Sequence, residues 1–140
     1  MMLASDPNKA RDLLRQAIDK TESWAAALMK PDKSRGVLDC MANVGFPDDW
    51  AHITNALDQT TGNGRCFLSA KPVLMEDVFI DQPDGGETYH FMSAVAVVPV
   101  KAGESTIGTL EVIKDTKKAH FLAAEIKLLE QIAAQLTDYL

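Results

Sequence analysis

The chain has 140 residues, 46% hydrophobic and 24% charged, proportions that fit one globular domain with a core of useful size and exclude a disordered chain. Fourteen basic and twenty acidic residues leave a net charge of −6, a poor electrostatic match for nucleic acid or an anionic membrane. No apolar run approaches the ~18 residues of a membrane span, the N-terminus shows no basic-then-apolar leader, and two cysteines without a CxxC spacing point to reduced thiols and a cytoplasmic location.

In chain order, Ser5-Asp6-Pro7 reads as a helix start, with Asp6 as N-cap and Pro7 at the first helical position. Leu14, Ile18, Thr21, Ala25 and Leu28 step by four, three, four and three beside a stripe of Ala10, Leu13, Ala17 and Trp24; a helix is predicted over 7–21. Trp24–Met29 reads as a strand, because Pro31 to Gly36 is turn chemistry and Val37–Val44 is apolar enough to return beside it. Gly45-Phe46-Pro47 ends that strand, and a short helix over Asp49–Asp58 is expected to bury Trp50, Ile53 and Leu57. Thr60–Gly64 reads as a loop, Arg65–Ala70 as one or two helical turns, Pro72–Val78 as a strand and Phe79–Tyr89 as an exposed loop. Met92–Val100 and Thr106–Lys114 form a predicted hairpin around the turn Lys101–Ser105, with Pro99 at a bulge or strand end. A helix without Gly or Pro closes the chain from about Leu122 to Leu140.

That closing helix carries two apolar stripes. Ile126, Leu129, Ala133, Leu136 and Leu140 form one, and Leu128, Ile132, Gln135 and Tyr139 the other. A helix on a single sheet needs one apolar face, so either the two terminal helices pack together on one side of the sheet or they also build a dimer bundle. The dimer is the preferred expectation, with Leu14, Ile18, Ile126, Leu129, Ala133, Leu136 and Leu140 at its interface.

The order helix, hairpin, short helices, strand, acidic loop, hairpin, long helix resembles the GAF domain over nearly the whole chain, treated as one unit over 1–140 with an N-terminal helix (1–21), a sheet and cavity region (24–114) and a C-terminal helix (122–140). The strongest stretch is Ser93–Leu140, with the apolar-Pro-apolar step Val98-Pro99-Val100, the Gly-containing strand Ile107–Val112, and Phe121, Glu125 and Leu128-Leu129 at the helix start. Ala42-Asn43-Val44-Gly45 and Lys71–Val78 fit upstream pieces. The resemblance implies an α+β, profilin-like fold: an antiparallel sheet of five or six strands, terminal helices on one face, and short helices and loops over a cavity on the other. It also implies a regulatory role, in which a small molecule binds and the terminal helices signal to an effector. Helix phase still runs at Leu140, which leaves open a stand-alone protein or a piece of a longer one.

Specific chemistries narrow this. Of the family's cyclic-nucleotide signature, Lys114, Phe121 and Glu125 match while an Asn and an Asp are absent; a Lys114–Glu125 ion pair is expected as structural support. Thr61-Gly62-Asn63-Gly64-Arg65 offers amides and a guanidinium to a phosphate but lacks phosphate-loop spacing and reads more simply as a flexible turn. Neither Cys40 nor Cys66 has the neighbouring histidine that bilin attachment needs. Cys66 lies where the family's free methionine sulfoxide reductases place a cysteine, yet no resolving thiol is evident, and an inert thiol is the simpler reading. No His/Cys spacing suits zinc, and Asp77, Asp81 and Asp84 lack a calcium-loop pattern. The expectation is therefore a sensory GAF domain, not an enzyme, without cofactor or metal, that dimerises, binds an unidentified small molecule and acts on a downstream effector. Its cavity and lid are expected to use Trp50, Cys66, Met75, Asp77, Tyr89, His90 and Phe91. The alternatives are a ligand-free dimerisation module, with the cavity plugged by Met75, Phe91 and Met92, and a sulfoxide reductase using Cys66.

Overall fold

The computed structural model describes residues 7–46, 54–76, 94–115 and 120–140. Helix α1 runs Pro7–Thr21, as the periodicity requires; the expected Asp6 cap lies outside the described residues. Its C-terminus closes without glycine. Glu22 takes the left-handed conformation (φ +51°) so that the Ser23 amide reaches back to the Ile18 carbonyl at 2.9 Å.

Strands β1 (Ala25–Asp32), β2 (Val37–Val44), β3 (Asn55–Ala56), β4 (Val73–Glu76), β5 (Ala94–Ala102) and β6 (Ser105–Lys114) form one antiparallel sheet in the order β3-β2-β1-β6-β5-β4. This is the expected α+β architecture with its six strands. The two hairpins turn at Gly36 (φ +66°) and Gly103 (φ +62°), where a left-handed backbone makes glycine the residue of least strain. Pro99 lies within β5, next to a register shift at Val100/Lys101 and beyond Val97, where the pairing with β4 ends, so its missing N–H leaves no β4 ladder bond unmade.

Side chains alternate between two faces. On one, Ala26, Leu28, Ala96, Val98, Leu110 and Val112 pack under Leu14 and Ala17 of α1 and Leu129, Ile132, Ala133 and Leu136 of α3 (Ala123–Leu136). This is the main core; each fully buried Leu or Ile contributes about 1.5–3 kcal/mol. A 3₁₀ turn, Thr137–Tyr139, ends the chain, and Thr137 Oγ1 donates to the Lys101 carbonyl at 2.8 Å. The expected Lys114–Glu125 pair is present: Nζ sits 3.0 Å from both carboxylate oxygens and 4.8 Å from the centre of the Phe121 ring, while Glu125 also accepts from the Leu122 amide at 2.9 Å. The three residues that echo a nucleotide signature thus tie β6 to the start of α3.

Two expectations change. The helix over Asp49–Asp58 does not reach its end, because Asn55–Ala56 is a strand on Leu38 and Val37, and the Leu57 amide donates to the Gly36 carbonyl at 2.9 Å. Trp50 and Ile53 lie outside the described residues. The Thr60–Gly64 loop gives way at its second half to helix α2 (Gly62–Ser69).

Candidate ligand-binding face

Helix α2 lies against the other face of the sheet, and its glycines explain how closely it approaches. A Cβ on Gly64 would meet the Asp58 backbone and stand 2.5 Å from the Ala56 carbonyl oxygen; one on Gly62 would be 3.0 Å from Met75 Sδ. Thr61 caps the helix, accepting from the Gly64 amide at 2.9 Å and donating to the Ala56 carbonyl at 2.7 Å. Gly62, Asn63 and Gly64 are buried. The segment is a packed helix start rather than a flexible turn, and its capped Gly64 amide already has an acceptor.

Register defines what α2 faces. Val73, Val97, Glu111, Ala27 and Asn43 form one row across five strands, and Pro99, Thr109, Met29 and Cys40 a neighbouring one. Glu111 therefore stands near the middle of an otherwise apolar and small-residue surface. Asn63 bridges helix and sheet: its Nδ2 donates to Glu111 Oε2 at 3.2 Å, while its Oδ1 accepts from Thr109 Oγ1 at 2.8 Å. The Thr109 hydroxyl fixes which end of the amide points at the carboxylate. Burial pushes the Glu111 carboxyl up to about 7, with the Asn63 amide opposing the rise, yet the side chain keeps part of its surface open.

The sequence reading missed Glu111. In Thr109-Leu110-Glu111-Val112-Ile113 a lone glutamate reads as a solvent-facing residue of an alternating strand, and nothing in the linear order pairs it with Asn63. Of the seven residues expected around the cavity, Cys66 and Met75 are brought together in one cluster with Val95, Val97 and Ile113. Trp50, Asp77, Tyr89, His90 and Phe91 lie outside the described residues. Cys66 is fully buried, and burial pushes its thiol up to about 12, the reverse of what a nucleophile needs. Cys40 is raised as well, by burial first and by the Glu111 charge, against a hydrogen bond from Asn43. Among the described residues no group of three or more His, Cys, Asp or Glu is placed to hold a metal ion, and no helix is long and apolar enough to cross a membrane.

The family model described as GAF domain matches residues 10–139. The chain belongs to the GAF domain family. Solved structures agree on the fold. The second GAF domain of DevS from Mycobacterium smegmatis is 19% identical with a TM-score of 0.71, covering 94% of this chain and 91% of that one. A type II free methionine-R-sulfoxide reductase from Thermoplasma acidophilum is 20% identical with a TM-score of 0.72, covering 95% and 90%. A GAF domain/HD domain protein from Geobacter sulfurreducens is 14% identical with a TM-score of 0.71, covering 96% and 91%. No curated protein sequence matches the chain. GAF domains are in general regulatory, and at these identities the three structures speak for the fold alone.

On the opposite face of this GAF domain, four residues expected at a dimer interface are enclosed by the protomer itself. Leu14, Leu129 and Leu136 are fully buried and Ala133 nearly so, between the sheet and the paired helices. Leu140 packs on Gly108, where a Cβ would reach it. Of the second stripe, Ile132 is buried and Leu128 and Tyr139 pack partly on the same core, while Gln135 is exposed; Ile18, Ile126 and Leu140 keep partial exposure.

Proposed function

We propose that this GAF domain is a regulatory module that binds a small organic molecule on the side of the sheet that carries α2 and passes the event to its terminal helices. The observation that supports it is Glu111. A structural core gains nothing from a carboxylate in the middle of an apolar sheet face, whereas a few fixed polar groups in an apolar recess are what ligand recognition requires. The route to the helices is short. Glu111 and Lys114 share β6, and Lys114 grips Glu125 of α3, so a shift of that strand is transmitted directly to the helix. A ligand moves such an equilibrium only by binding one strand–helix arrangement better than the other.

Two copies are proposed to pair across α1 and α3, which lie side by side on one face of the sheet. With the leucine stripe buried, the contact falls to the outer surface of α3, where Ala124, Gln131 and Ala134 are exposed, together with Ile18 and Ile126. Sedimentation velocity of Ala124→Glu/Ala134→Glu tests this, because both sites are exposed and the fold tolerates the change. The expected result is a folded monomer from a dimeric parent; an unchanged dimer places the interface elsewhere. For ligand binding, thermal unfolding across a metabolite panel is expected to show at least one compound that stabilises the parent and not Glu111→Leu. A panel without any such compound favours the ligand-free module.

The buried, protonated Cys66 thiol weighs against the sulfoxide reductase alternative, and a non-enzymatic role is the reading adopted.

A further inference from the structure

The chain has four asparagines, and one of them, Asn63, is followed by glycine; Asn8, Asn43 and Asn55 precede Lys9, Val44 and Ala56. An Asn-Gly step is the pairing most prone to deamidation, because glycine has no side chain to hinder attack by its own backbone nitrogen on the asparagine side-chain carbon. Here that step sits at the start of α2, with Asn63 only 1% exposed. Three contacts hold the atoms that would react. The Gly64 N–H, whose proton must leave before the nitrogen can attack, is donated to Thr61 Oγ1 at 2.9 Å. The Asn63 amide nitrogen, the leaving group, donates to Glu111 Oε2 at 3.2 Å, and its Oδ1 accepts from Thr109 Oγ1 at 2.8 Å. Ring closure also needs backbone angles outside the helical range that α2 imposes.

We propose that Asn63-Gly64 is a latent deamidation site, guarded by the contacts between α2 and the sheet and spent when α2 lifts away. In the lifted state the Gly64 nitrogen gives its proton to solvent water and bonds to Asn63 Cγ, and ammonia leaves with a proton from solvent, which forms a succinimide. Water then opens that ring to aspartate or isoaspartate. Neither product rebuilds the clamp. Aspartate puts an oxygen where the amide donated, so two carboxylates face each other across the 3.2 Å that held a hydrogen bond, and they cannot both ionise without repulsion. Isoaspartate routes the main chain through Cβ, which lengthens the first turn of α2 and takes Gly64 out of register with Thr61 and with the Asp58 and Ala56 backbone it packs against. Opening, reversible in the parent, becomes permanent in the product. The site needs no ligand: it stands on the contacts of Asn63 and Gly64 alone.

The test is peptide mapping by mass spectrometry of the full chain held at pH 8 and 37 °C, native and in guanidinium chloride. In denaturant, conversion at Asn63 is expected to outrun that at Asn8, Asn43 and Asn55 by about tenfold or more. In native buffer it is expected to slow by at least about a hundredfold, since only the opened fraction reacts. Thr61→Ala removes the cap and frees the Gly64 amide, and is expected to raise the native rate about fivefold. Ile132→Val, a comparable loosening of the core on the other face of the sheet, is expected to leave that rate unchanged. A native rate equal to the denatured one would overturn the guard, and an equal rise in both variants would put global unfolding in place of α2 lifting. Asn63→Asp carries the aspartate product directly. Its α2 amides are expected to exchange hydrogen about tenfold faster than the parent's while β5 and β6 stay protected; unchanged α2 exchange would overturn the lost clamp. The conversion rates of the parent decide the proposal even where that variant does not fold.

Discussion

Replacing Glu111 by Gln is expected to make the domain more stable at pH 8. Burial pushes the folded carboxyl up to about 7 from an ordinary 4.5. Below 4.5 the group is protonated in both folded and unfolded chains and costs nothing. As the pH rises toward 7 the unfolded chain releases its proton while the folded one keeps it, so the folded state binds more protons and loses stability. Above 7 the loss is complete. At ~1.4 kcal/mol per tenfold, the gap between the two values corresponds to roughly 3 kcal/mol. Glutamine keeps a carbonyl to accept from Asn63 and has nothing to ionise. Urea unfolding of both proteins at pH 5, 6, 7 and 8 isolates the effect, since every other titrating group is common to the two. The variant's advantage is expected to be small at pH 5, under about 1 kcal/mol, and to grow by a further ~2–3 kcal/mol by pH 8. A difference that stays flat, or falls with pH, would refute the desolvated carboxylate and with it the claim that Glu111 is kept at a cost to stability.

Gly64→Ala is expected to lose about 3 kcal/mol or more, because the new Cβ meets fixed backbone at Asp58 and Ala56 rather than a movable side chain; circular dichroism melts report it. Ala70→Gly is expected to gain about 0.5–1 kcal/mol, since Ala70 holds a left-handed φ of +58° at the end of α2; a lower melting temperature would contradict this. Cys66 is expected to resist iodoacetamide at pH 8 until denaturant is added, while half-buried Cys40 reacts first, followed by mass spectrometry of the peptides. Rapid alkylation of Cys66 in the native protein would return the reductase alternative to contention.

What the linear order reveals is governed by how local the cause is. Helix α1 and β2 match their expected limits, and β5–β6 is the expected hairpin, because 3.6- and 2-residue periodicities and flanking turn residues act within a few positions. The start of α2 was hidden because Gly62 and Gly64 read as loop residues, whereas both answer to the Met75 side chain and the Asp58 backbone in space. β3 is two residues long and exists only by pairing with β2. The double stripe of the closing helix was legible, but the sequence left open whether the terminal helices pack only on one another and the sheet or also on a second copy; here α1 and the sheet enclose Leu129, Ala133 and Leu136 in the protomer's core. Glu111 escaped for a like reason. Its significance lies in Asn63, 48 positions away in the sequence, and in the burial that α2 imposes.

Native mass spectrometry of freshly purified protein tests the central claim most directly. The account predicts that a share of the 15.3 kDa chains carries a small organic adduct, held under native spray, released on denaturation and diminished in Glu111→Gln. Chains that are bare in every preparation, and remain bare after incubation with a panel of small-molecule metabolites, would contradict it.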